Sequence, residues 1–147
     1  MADRVDDYPQ FLNVHPNVLK GIETMVEKWE SNRRSIRAGK YSIVFVFRGR
    51  LDKRTHVFHI EKTLTDLLPK LVIYSGDSQH KGAHKREGSP LVAGASTAER
   101  EKLKSVFKIE SERADEMGEW RRTLSEDIHQ DFYAEFIEFA MHACKSL

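Results

Sequence analysis

Residues 41–61, Tyr-Ser-Ile-Val-Phe-Val-Phe-Arg-Gly-Arg-Leu-Asp-Lys-Arg-Thr-His-Val-Phe-His-Ile-Glu, hold the densest run of β-branched and aromatic residues in the chain. Such residues suit a pleated, packed surface, so the stretch predicts two strands around which the remainder must fold. Alternate side chains of a strand face opposite sides. Ile43, Phe45 and Phe47 therefore share one face, and Val44 and Val46 share the other. Apolar groups on both faces predict a central strand. In the second run, strict alternation puts Phe58 and Ile60 with His56 on one face and Val57 with His59 on the other. The polar residues 49–54 between the runs are few enough for a hairpin, but they lack an Asn-Gly or Asp-Gly turn, so the register stays open.

A chain of 147 residues fits one domain, 1–147, and can bury a sizeable core. Charged residues make up 32% and hydrophobic ones 39%, a balance of globular rather than disordered chains. No apolar run is long enough to span a bilayer. The acidic start, with Asp3, Asp6 and Asp7, lacks the apolar segment of a secretory signal. The single cysteine, Cys144, excludes an intrachain disulfide and a cysteine-rich zinc site. An intracellular, cytoplasmic protein without membrane contact is expected.

The formal net charge of +1 conceals an uneven distribution. Residues 33–86 carry thirteen basic and four acidic side chains, a balance of +9, whereas residues 1–32 stand at −3 and residues 87–147 at −5. Such asymmetry points to an anionic partner for the middle of the chain, or to acidic helices folded over a basic sheet.

Residues 1–14 read as an arm that docks through Tyr8, Phe11 and Leu12. Pro16 suits a first helical turn, and Val18, Leu19, Ile22, Met25, Val26 and Trp29 follow at spacings of three and four, predicting a helix over 16–31 with Trp29 in the core. Residues 32–40 fit a basic helical turn or a loop. Gly39-Lys40-Tyr41-Ser42 fails as a phosphate-binding loop, because Arg34 stands where the earlier glycine belongs and a strand follows in place of a helix.

Thr63-Leu64-Thr65-Asp66 resembles a helix start, which Pro69 would keep very short, and residues 71–74 predict a third strand. That connection is short for a parallel crossover, which favours a mixed or antiparallel sheet. Residues 77–89 predict a flexible basic loop, and residues 90–93 a short further strand. Ser96-Thr97-Ala98-Glu99 fits a capping box that opens a helical C-terminal part, with a break expected between residues 111 and 118. The last helix is apolar on two sides, which predicts burial on both or a homodimer through it.

The expected fold is therefore α+β: a small mixed or antiparallel sheet of three to four strands, an N-terminal helix and two C-terminal helices. For function, the electrostatic argument leads. Arg33, Arg34, Arg37, Lys40, Arg48, Arg50, Lys53 and Arg54 are neighbours in sequence, and Lys81, Lys85 and Arg86 lie in the basic loop. Converging, they would neutralise several phosphates, and arginine grips phosphate bidentately. The expected phosphate-binding set is Arg33, Arg34, Arg48, Arg50, Lys53, Arg54, Lys81, Lys85 and Arg86. Its partner is nucleic acid or another phosphorylated ligand, bound by a non-enzymatic regulatory protein.

The alternatives are a homo-oligomeric interaction module, a pocket for a small nucleotide, and a hydrolase using residues 75–84. For the last, Ser75, Asp77, Ser78 and His80 supply triad-type groups, but adjacency in sequence does not make a triad. Asp77, His80 and His84 are metal-ligand types that a polar loop holds by chance, and His56 and His59 are expected on opposite faces. No metal or cofactor is expected. Cys144 reads as a small core residue.

Overall fold

Pro16 opens α1 (Pro16–Trp29), and the His15 ring caps it by accepting the N–H of Asn17 at 3.1 Å. The computed structural model describes residues 11, 13–75, 88–113, 119–145 and 147. Along α1 the predicted stripe faces inward, with Val18, Ile22, Met25, Val26 and Trp29 all buried.

The strands are β1 (Arg34–Ala38), β2 (Ser42–Arg48), β3 (Arg54–Glu61), β4 (Lys70–Tyr74), β5 (Glu110–Arg113) and β6 (Glu119–Thr123). They form one sheet in the order β1-β2-β3-β4-β6-β5, with every neighbouring pair antiparallel. Between β4 and β5 lies α2 (Thr97–Ser105), and α3 (Gln130–Ala143) follows β6. The class is α+β as expected, with six strands in place of three to four.

The two extra regions of strand have clear causes. β1 takes the basic segment left open as turn or loop, because Ile36 pairs with Phe45 and is half-buried beside the core while Arg37 and Ser35 face out. β5 and β6 replace the helix expected around the break. Phe107 and Ile109 are both buried with exposed Lys108 between them, a period of two rather than 3.6. Val106, the C-cap of α2, is exposed, so the helix ends ahead of this alternation.

Two smaller expectations also change. Thr63 and Asp66 exchange the reciprocal bonds of a capping box, the Thr63 N–H to Asp66 Oδ2 and the Asp66 N–H to Thr63 Oγ1, each 3.1 Å, yet no helix follows ahead of Pro69. Residues 90–94 form a turn instead of a strand, with the Val92 and Ala93 N–H groups both donating to Ser89 O. The capping box of α2 forms as predicted, Ser96 Oγ accepting the Glu99 N–H and Glu99 accepting the Ser96 N–H.

The helices cover one face of the sheet. Phe45 stacks on Phe58 with centroids 4.1 Å apart, Trp29 meets both edge-on, and Phe136 of α3 meets Phe58 edge-on at 5.0 Å. Phe136 also meets Phe107 at 5.4 Å, while Tyr133 of α3 lies against Gly21 of α1. Phe132, Tyr133, Phe136, Ile137 and Ala140 of the last helix are buried inside this chain, and Phe139 and Met141 are partly buried against the same core.

Candidate functional site

The face of the sheet turned away from the helices carries the polar chemistry. Its geometry is set by one irregularity. Phe45 pairs with Phe58, but Val46 pairs with His56, so Val57 is an extra residue in β3. Such a bulge shifts the alternation by one position. Val57 goes into the core with Phe58, and His56 and His59 come to the same face. This corrects the alternation read from sequence, which separated the two histidines.

His56 Nε2 and His59 Nδ1 are 3.0 Å apart, a hydrogen bond in which one ring donates to the other. Tyr74 closes the group, its ring centroid 5.2 Å from His56 and 5.1 Å from His59. His59 is buried at 4% exposure. Next along β3, Glu61 accepts from Arg121 Nη2 at 3.0 Å, and Arg121 Nε lies 3.4 Å from Glu119 Oε2. Among the described residues, no three histidine, cysteine, aspartate or glutamate side chains converge as a metal site. The candidate set Asp77, His80 and His84 lies outside the described residues, as do Lys81, Lys85, Arg86 and the arm up to residue 10.

At the other end of β3 the bases gather. The Arg48 N–H donates to Arg33 O at 2.7 Å, and Arg48 pairs with Arg54. Arg33, just ahead of β1, therefore stands beside Arg48 of β2 and Arg54 of β3, at the strand spacing of about 4.8 Å. Arg50 and Lys53 flank them in the turn, and all five are exposed. Among the described residues no carboxylate lies within ion-pair distance of Arg33, Arg48, Arg50 or Arg54. Arg34 is different. Its Nε donates to Trp29 O at 2.8 Å and its guanidinium lies 5.8 Å from the Trp29 ring, so it closes the C-terminus of α1 instead of joining the row.

The turn itself holds a residue that sequence reasoning missed. Leu51 and Asp52 both have left-handed backbones, φ 65° and 57°, the conformation that joins tight hairpins. Leu51 is wholly exposed at the tip, between Arg50 and Lys53. Gly49 opens the turn, but neither left-handed position carries glycine or asparagine, which is why its shape gave no sequence signal.

Cys144 is 1% exposed, and burial pushes its thiol up to about 12, so it is a core residue and not a nucleophile. No protein-family model, no curated protein and no solved structure matches this chain. The site must be read from its own geometry.

Proposed function

We propose that the chain is a binding protein for a phosphate-bearing polyanion, nucleic acid foremost, and that the β2–β3 hairpin end is its contact surface. The observation that carries this reading is the row Arg33, Arg48 and Arg54, three like charges at neighbouring cross-strand positions without a carboxylate within ion-pair distance among the described residues. Like charges directly opposite one another weaken a sheet. Within the fold only Arg33 of the three finds acceptors for its guanidinium among the described residues, its Nη1 donating to Arg48 O and Gly49 O at 3.5 Å, whereas a phosphate backbone placed along the row would offer acceptors to all three. Leu51 at the tip adds an apolar group that a base face or a base step can cover.

Fluorescence anisotropy of labelled single- and double-stranded oligonucleotides tests the reading. Binding that weakens with salt, and that disappears when Arg48, Arg50, Lys53 and Arg54 become alanine, supports it. Leu51→Ser should lower affinity without changing the salt dependence. Absence of binding at low salt would end the proposal.

A further inference from the structure

β1 is one edge of the sheet, and its bonds to β2 fix which backbone groups it leaves open. The Arg48 N–H donates to Arg33 O, and the Gly39 N–H donates to Ser42 O. Between these two bonds the pairing is regular, with Arg34 to Ala38 set against Phe47 to Ile43. In an antiparallel ladder, residues that turn both backbone groups to the neighbouring strand alternate with residues that turn them away. The backbones of Arg33, Ser35, Arg37 and Gly39 therefore bond toward β2, and those of Arg34, Ile36 and Ala38 point outward. The Arg34 end is closed, because the Ser31 N–H donates to Arg34 O at 2.9 Å. Among the described residues nothing bonds the outward groups of Ile36 and Ala38, which leaves two donors and two acceptors in a line.

Natural edge strands are guarded by proline, bulges, a covering element or charge. β1 has neither proline nor bulge, and Arg37 and Ala38 are exposed. Its guard is charge of one sign. Residues 31–41 contain no carboxylate, and among the described residues none lies within ion-pair distance of Arg33 or Arg37. Arg33 and Arg37, four residues apart on a strand, point to the same face. A second β1 is repelled by this pattern. With Ile36 set against Ile36 of another copy, the two Arg37 side chains lie diagonally across one face, and with Ile36 set against Ala38 they lie directly opposite. An acidic strand is attracted instead. On the other face, Ile36 is half-buried beside the core, so a residue placed opposite it meets apolar surface.

We infer that β1 takes up an extended peptide of alternating apolar and acidic residues as a seventh strand. Antiparallel to β1, the peptide backbone exchanges two hydrogen bonds with Ile36 and two with Ala38. Its apolar side chains continue the Ile36 side of the sheet, and its carboxylates meet Arg37 and Arg33 on the other. Main-chain pairing holds this partner, so the site differs from the polyanion surface although Arg33 borders both.

Fluorescence anisotropy of a labelled eight-residue peptide of alternating valine and glutamate, titrated with the full chain, tests this. The expected result is saturable one-to-one binding, with amide exchange at Ile36 and Ala38 slowed tenfold or more by the peptide. Ala38→Pro removes one outward N–H at an exposed edge position that tolerates proline, and should weaken binding fivefold or more. Arg37→Glu, which leaves the edge backbone intact, should lose this peptide and gain one of alternating valine and lysine. Replacing Arg48 and Arg54 by alanine should leave peptide binding unchanged. Absence of saturable binding would overturn the inference, as would equal binding of a peptide with the same residues in two blocks. So would binding that leaves the exchange of Ile36 and Ala38 unaltered, or that persists in Arg37→Glu.

Discussion

Arg48 and Arg54 are cross-strand partners, two guanidinium groups set directly opposite each other where β2 and β3 enter their turn. The pairing sets stability against binding. Arg54→Glu turns a repulsive pair into an attractive one and should stabilise the fold by about 0.5 kcal/mol. The same change should weaken oligonucleotide binding. Chemical denaturation and anisotropy on one preparation check both signs, and a variant that loses stability would show that the row is held by contacts other than those between the strands.

Gly21 and Tyr133 set the approach of α1 to α3. A Cβ on Gly21 would come within reach of the Tyr133 ring at distances no side chain tolerates, and the ring is fully buried. Gly21→Ala should therefore destabilise by about 1–3 kcal/mol, even though alanine is the better helix former. The Tyr133 hydroxyl is buried without a hydrogen-bond partner among the described residues. Tyr133→Phe should hold stability or raise it by up to about 1 kcal/mol. Urea melts of the two variants separate these outcomes.

Alkaline titration should unfold the protein in a defined window. Burial pushes both the Cys144 thiol and the Tyr133 phenol up to about 12, from ordinary values of 9.0 and 10.0. Between about pH 9 and 12 the unfolded chain has released these protons and the native chain has not. The native state then binds more protons, so stability must fall as pH rises through that window. Cys144→Ala should remove the part that begins near 9, and Tyr133→Phe the part that begins near 10. A melting temperature independent of pH across the window would contradict the assignment of both groups to the interior.

Much of this was legible in the sequence, and the failures have physical causes. The α1 stripe, the Ser96–Glu99 box and the β2–β3 core ran true because local pattern and tertiary packing agree there. The face assignment of His56 failed because the bulge at Val57 depends on pairing with β2, which no periodicity within β3 encodes. β5 and β6 were hidden because the sequence reads as one helical C-terminal part, whereas Phe107, Trp120 and Phe132 within it belong to a strand entry, a strand and a helix. In the basic segment, composition identified the charges, but only the register showed that Arg33, Arg48 and Arg54 align and that Arg34 turns toward Trp29.

Binding of phosphate chains at the hairpin end would show itself first in the salt dependence of duplex binding. If Arg33, Arg48, Arg50, Lys53 and Arg54 all meet phosphates, the slope of log affinity against log salt should be about −4.5. Replacing Arg33, Arg48 and Arg54 by alanine should make that slope shallower by about 2.7 while leaving the fold intact. A triple variant with the parent affinity and slope, or no binding by the parent chain at low salt, would contradict the account.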